Sequence, residues 1–325
     1  MRSLLDLEVS QVPVAIVDIE TTGLYPGADR VVELSVVRSD PGRPPELVLD
    51  TLVNPERHVA ATEIHGITDA DVVGAPRFAD IAGDFAKSLE GGVLAAYNVY
   101  FDVRFLESEF LRVGSEVELP HLCLMYLRPM LGLGRKCCLA DACRAYGIPH
   151  PAAHVASSDA LAGARMWAMY LEVMLSRDIR TFVDLASLRA YKFVDSFSLA
   201  PLDSLRTKGM SSGGPLKPRV HLPVGAEQQL VTSEMSSRRA VLREYWDSLT
   251  AAVADLEITE SEMRDLNDKA KRFALTIEEQ RGLHARVFAG ALGKVLEDEL
   301  ITDAEWLGLR RLHDCLRQLG WAPGV

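Results

Sequence analysis

The stretch Val12-Pro13-Val14-Ala15-Ile16-Val17-Asp18-Ile19-Glu20-Thr21-Thr22-Gly23 decides how the chain is read. Its first six residues form a nearly continuous apolar run, the pattern of a buried strand. In extended backbone, residues i and i+2 point the same way, so Asp18 and Glu20 project together. Two adjacent carboxylates repel each other and are costly to desolvate unless a cation joins them. Hard oxygen donors so arranged suit Mg²⁺ or Mn²⁺. An edge strand with an acidic solvent face would show the same Asp-x-Glu, so the pair acquires meaning only with partners from elsewhere.

Working outward, Arg30 to Arg38 and Leu47 to Val53 have strand character, with the turn signals Asp40-Pro41-Gly42 and Pro44-Pro45 between them. Phe78 to Leu89 has helical spacing and ends at Gly91-Gly92; Val93 to Tyr97 is a short strand. Helices are predicted from Asp102 to Val113, from Leu139 to Tyr146 and from Ser158 to Leu175. The alternation makes the first half α/β. Two junctions add chemistry. Tyr97-Asn98-Val99-Tyr100-Phe101-Asp102 joins a strand to a helix, where Asp102 taken alone reads as an N-cap. His154-Val155-Ala156-Ser157-Ser158-Asp159-Ala160 opens the long helix, whose dipole favours Asp159 in its first turn. Beside metal-bound carboxylates, His154 becomes a candidate proton acceptor, because imidazole titrates near neutrality.

Together the three segments resemble the three motifs of the DEDDh exonuclease family. That family includes the proofreading epsilon subunits of bacterial replicative polymerases, ribonuclease T and oligoribonuclease. Asp18 to Leu24 is similar to its first motif at full length. Ile64-His65-Gly66-Ile67-Thr68 and Leu139-Ala140-Asp141-Ala142-Cys143 resemble segments found before its second and third motifs. The resemblance covers about residues 11–175. Tyr97-Asn98 stands where the family usually has His-Asn, a departure that removes no metal ligand.

The resemblance implies a ribonuclease-H-like fold, a mixed five-stranded sheet flanked by helices. It implies a metal-dependent 3′–5′ exonuclease that releases nucleoside 5′-monophosphates from DNA 3′ ends, as in replication proofreading or DNA repair. Asp18, Glu20, Asp102 and Asp159 would hold two Mg²⁺ or Mn²⁺ ions, with His154 as general base. Thr21, Thr22 and Leu24 would lie along the 3′-terminal nucleotide, with His65 and Asn98 nearby. The substrate would be nucleic acid with a free 3′ end, single-stranded DNA being favoured. An exoribonuclease of the same family and a catalytically silent nucleic-acid-binding adaptor are the alternatives.

The chain has 325 residues, 48% hydrophobic and 25% charged, the composition of about two folded domains. It has no apolar run of membrane-spanning length, and its N-terminus lacks the apolar core of a signal peptide, so no membrane association is expected and the cytoplasm is the expected location. Five cysteines, an odd number with two adjacent, argue against a disulfide framework and lack the paired spacing of a zinc site. Net charge is −11: −9 over residues 1–180, +3 over 181–226 and −5 over 227–325. That balance argues against a large surface coating nucleic acid, while bound divalent cations would offset part of the first segment's acidity.

The expected organisation is an exonuclease domain over 1–180, a connecting segment over 181–226, and a separate all-helical domain over 227–325. Ser211-Ser212-Gly213-Gly214-Pro215, flanked by Arg206, Lys208, Lys217 and Arg219, reads as a flexible basic linker. The helical part repeats itself: Asp255 to Glu262 aligns with Asp298 to Glu305, each with a Thr-x-x-Glu capping box. These segments weakly resemble a tellurite-resistance-B-like helical module, with Leu256 and Glu299 where that family carries Gly. The expected role for this part is protein contact or regulation.

Overall fold

The computed structural model describes residues 3–202, 213, 215–219, 229–254, 258–295 and 303–322. They fall into two units. One comprises Met1–Thr22, Arg30–Ala60 and Ile67–Arg219; the other comprises Gly23–Asp29, Ala61–Gly66 and Val220–Val325. Most of the expected linker (Arg206, Lys208, Ser211, Ser212 and Gly214), residues 255–257 and 298–302 of the helical repeat, and residues 323–325 of the expected helical domain, Val325 included, lie outside the described residues.

The first unit is built on β1 (Val14–Thr21), β2 (Val31–Ser39), β3 (Glu46–Leu52), β4 (Val93–Ala96) and β5 (His121–Cys123). Their order is β3-β2-β1-β4-β5, with β1, β2 and β3 antiparallel and β4 and β5 parallel to β1. This is the expected mixed five-stranded sheet. After α1 (Thr62–His65), which belongs to the second unit, the helices are α2 (Asp69–Val72), α3 (Phe78–Ser88), α4 (Val99–Arg112), α5 (Leu124–Met130), α6 (Leu139–Tyr146), α7 (Ala156–Ser176) and α8 (Phe182–Leu188).

β1 carries Asp18 and Glu20 in extended backbone inside the sheet, as expected, and bulges between Glu20 and Thr21. One boundary differs from the sequence reading, and it concerns the chemistry. Helix α4 starts at Val99, with Asn98 in the N-cap position. Asp102 is therefore not a cap. It lies in the first turn, where its carboxylate accepts the Ile19 N–H instead.

Helix α7 packs on the face of β1 that carries Ile16, Asp18 and Glu20. A Cβ on Gly163 would come within 2.9 Å of Ile16 Cγ2 and 3.3 Å of Leu124 Cδ1. Gly→Ala in an exposed helix normally stabilises by about 1 kcal/mol. Here overpacking reverses the sign: Gly163→Ala is expected to cost about 1–2 kcal/mol in denaturant unfolding. A more stable variant would contradict this close approach.

The described residues from 181 to Arg219 belong to the same unit. Phe182 on α8 and Phe193 and Phe197 in the 3-10 turn Lys192–Ser198 are fully buried, with ring centroids 5.1 and 5.8 Å apart around Phe197. Leu202 exchanges backbone hydrogen bonds with Gly91 and Gly92 at 2.8 and 3.0 Å. Lys217 pairs with the end of β3: its carbonyl accepts the Leu52 N–H at 2.8 Å, and its own N–H donates to Thr51 Oγ1 at 3.0 Å. Gly, Ser and Pro marked only the middle of segment 181–226; buried aromatic surface of about 2–3 kcal/mol per ring holds its start.

The second unit contains α9 (Gln229–Val253), α10 (Glu260–Arg272), α11 (Ile277–Val295) and α12 (Asp303–Gln318). Its core gathers Tyr245, Leu249, Leu266, Leu283, Leu312 and Leu316, together with Ile64 of α1. Thr259 and Glu262 form the expected capping box, with Glu262 N–H to Thr259 Oγ1 at 3.2 Å and Thr259 N–H to Glu262 Oε2 at 2.9 Å. A further box, Thr276 with Glu279, starts α11. The same Thr-x-x-Glu pattern marks it in the sequence, but it falls outside the repeat. No helix among the described residues is long and apolar enough to cross a membrane.

Candidate active site

Strand β1 sets the first two carboxylates, and β2 places Ser35 opposite Asp18 and Glu33 opposite Glu20. Directly opposed like charges destabilise a strand pair, and Glu33 is wholly buried. Asp102 enters from α4, with 5% of its surface exposed. The loop before α7 supplies the rest. His154 has φ 60°, a left-handed conformation that non-glycine residues adopt rarely. Its N–H donates to Asp159 Oδ2 at 3.1 Å, and its Nδ1 lies 3.7 Å from Glu20 Oε1. His150, between Pro149 and Pro151, places Nε2 2.5 Å from Asp159 Oδ1. Glu20, His154 and Asp159 each offer a donor atom within 4.8 Å of the other two.

Burial dominates the electrostatics, and charge crowding adds to it. Burial pushes the Asp18 carboxyl well above the usual range, although part of the residue stays accessible; Asp159, Asp102, Glu20 and Glu33 push it further. Burial likewise raises Asp102 to about 8, with Glu20 adding to the rise. Asp159 is also raised by burial, against the lowering contact of His150. Glu33 is raised by burial to about 7, opposed by Arg219 and reinforced by Glu20. The four acids expected as ligands therefore converge, and a fifth, Glu33, stands behind them.

Other expected site residues divide between the units. Thr21 and Thr22 are buried at the end of β1, and the Thr22 hydroxyl accepts the Arg30 N–H at 3.1 Å. Asn98 is half-buried at the start of α4. Leu24 and His65 belong to the second unit, where Leu24 packs against the helical core and His65 is buried. Sequence reasoning missed four supports. His150 and Glu33 touch the cluster, Arg219 reaches it from the expected linker, and Glu109 anchors α4. Glu109 takes a bidentate pair from Arg30 at 2.7 and 2.9 Å, which ties α4 to the start of β2. A buried-site signal existed for Glu33, an acid within the apolar run Val31 to Val37. Nothing local marked Arg219 or His150.

The residues fit divalent cations. Buried carboxylates that hold protons against their normal pKa are groups from which a dication can displace those protons. In EDTA, the folded protein retains protons that unfolded Asp and Glu release near pH 4, so stability falls as pH rises from about 4 toward 8. Mn²⁺ or Mg²⁺ is expected to raise the melting temperature by roughly 5–10 °C at pH 8 and by much less at pH 5. Melting curves with and without metal at both pH values check this. Equal increments would mean that the acids do not form a cation site.

Residues 15–166 match a family model described as exonuclease. A DNA polymerase III subunit epsilon-like protein of Rhodobacter capsulatus is 35% identical over 187 residues, 55% of this chain and 27% of that protein. A DNA polymerase III subunit epsilon of Treponema pallidum is 36% identical over 151 residues, 44% of this chain and 69% of that protein. Among solved structures, E. coli Exonuclease I in complex with a dT13 oligonucleotide shares 20% identity, covering 55% of this chain and 46% of its own, with a TM-score of 0.46.

Proposed function

Because the chain belongs to the exonuclease family, we propose that its first unit is a metal-dependent 3′–5′ exonuclease acting on DNA. The observation that carries the reading is the convergence of Asp18, Glu20, Asp102 and Asp159 beside His154, from three separate parts of the chain. The DNA polymerase III names of the relatives favour DNA over RNA. Single-stranded DNA with a free 3′ end is the preferred substrate in this reading, and the product is a nucleoside 5′-monophosphate.

Asp18, Glu20, Asp102 and Asp159 are assigned as the holders of two divalent cations, Mg²⁺ or Mn²⁺. Bound there, such ions neutralise phosphate charge and lower the pKa of a bound water. His154 takes the proton from the attacking water. The resulting imidazolium finds a counter-charge in Glu20 Oε1, 3.7 Å from Nδ1. His150 fixes the Asp159 carboxylate from the side away from His154 N–H, so both oxygens have set directions. Thr21, Thr22, Leu24, His65 and Asn98 are assigned to the terminal nucleotide, as the family resemblance implies. The first unit, which runs on to Arg219, is taken as the catalytic region, and residues 227–325 as a module for protein contact or regulation. Trp306, 61% exposed on α12, suits the last role.

The test is a cleavage assay on 5′-labelled single-stranded DNA, duplex DNA and RNA of one sequence. Expected is stepwise shortening of the DNA single strand from its 3′ end with Mg²⁺ or Mn²⁺, abolished by EDTA. Intact DNA under both metals ends the enzymatic reading; faster loss of RNA turns it into an exoribonuclease.

A further inference from the structure

The expected linker ends in a contact with the site. Arg219 Nη1 donates to the His154 carbonyl at 2.9 Å and to Glu33 Oε2 at 3.2 Å. The same Glu33 oxygen accepts the Ala156 N–H at 3.3 Å. One guanidinium nitrogen thus joins a buried carboxylate on β2 to the backbone on either side of Val155. The chain leading to it is pinned independently: Lys217 Nζ donates to the Asp71 and Val73 carbonyls, both at 2.6 Å, and Lys217 backbone pairs with Thr51 and Leu52.

We propose that Arg219, with Glu33, is a positioning residue that holds the His154 loop in its left-handed turn and so aims the imidazole at the carboxylate cluster. A histidine at φ 60° stays there only where its surroundings over-determine it. Three bonds do so: His154 N–H to Asp159, His154 C=O from Arg219, and Ala156 N–H to Glu33. Glu33 is wholly buried, and its Oε1 has no hydrogen-bond partner among the described residues. A carboxylate so placed, opposite Glu20, demands an opposite charge, which Arg219 supplies from a side chain that is itself 17% exposed. A planar guanidinium serves two acceptors in fixed directions, which an ammonium does less well. The clamp makes the base depend on residues far beyond the long helix that follows it.

The inference uses the exonuclease reading for one arm of its test only. The full-length double variant Arg219→Ala/Glu33→Gln removes both charges and leaves no buried carboxylate unpaired. Expected is hydrogen exchange at least about 10-fold faster at the amides of residues 154–159, with the remainder of the sheet unchanged. Expected with it is a kcat about 10–100-fold lower at nearly constant KM, since small displacements of a catalytic group act on the chemical step. Arg219→Lys, and millimolar guanidinium added to Arg219→Ala, should each recover part of the rate. Parental exchange and parental kcat in the double variant would reduce Arg219 to neutralising Glu33 and overturn the proposal. If the parent cleaves nothing, the exonuclease reading has failed, and the exchange measurement alone decides the clamp.

Discussion

Asp18→Asn is expected to lower the cleavage rate by at least about 10³-fold, roughly 4 kcal/mol in barrier height, and at the same time to raise the melting temperature of the EDTA-treated protein. Both effects have one cause. Burial disfavours the charged form of Asp18, and the repulsion of Asp159, Asp102, Glu20 and Glu33 adds to it. The folded protein keeps a carboxyl there at a cost that asparagine does not carry, and the cost grows with pH as free carboxylates ionise more readily. The gain in melting temperature should therefore be larger at pH 8 than at pH 5. Cation binding weakens by the same substitution, so the stabilisation by Mn²⁺ should shrink. His154→Ala should match the loss of rate without the gain in stability. A parental cleavage rate in either variant removes that residue from its assigned role. A lower melting temperature for Asp18→Asn would mark Asp18 as structural.

A chain ending after residue 195 is expected to lose cooperative folding, whereas one ending after Arg219 should keep the sheet. The earlier cut falls inside the 3-10 turn Lys192–Ser198 and deletes Phe197, which is fully buried against Phe182 and Phe193. Loss of one buried phenylalanine costs about 3–5 kcal/mol, a large part of a typical total of about 5–15 kcal/mol. The same cut removes the Leu202 bonds to Gly91 and Gly92 and the Lys217 and Arg219 contacts. Thermal melts followed by far-UV circular dichroism separate the two chains. A cooperative transition in the shorter one would show that the first unit closes before residue 195. The longer chain gives up the core around Ile64, so Gly23–Asp29 and Ala61–Gly66 should become more protease-sensitive in it.

Local pattern was enough wherever one residue type has one economical use. The apolar run of β1 with Asp18 and Glu20 alternating out of it, and the capping threonine of α10, needed only strand and helix periodicity. The helix Leu139–Tyr146 was legible to the residue, because Gly147 in a left-handed C-cap ends it. Taken alone, Asp102 reads as an N-cap, since Asp at a strand–helix junction suits that position; the fold starts the helix earlier and puts Asn98 there.

The sequence by itself determined the α/β class, the family, and the acids and histidine on which the chemistry is assigned, since strand alternation and motif spacing are properties of neighbouring residues. Tertiary structure alone decided which distant groups surround them. Glu33 lies across the sheet from Glu20, His150 steadies Asp159, and Arg219 returns from 65 positions beyond His154 to hold it. Contacts at such separations are selected by total packing and charge compensation, and no local periodicity encodes them.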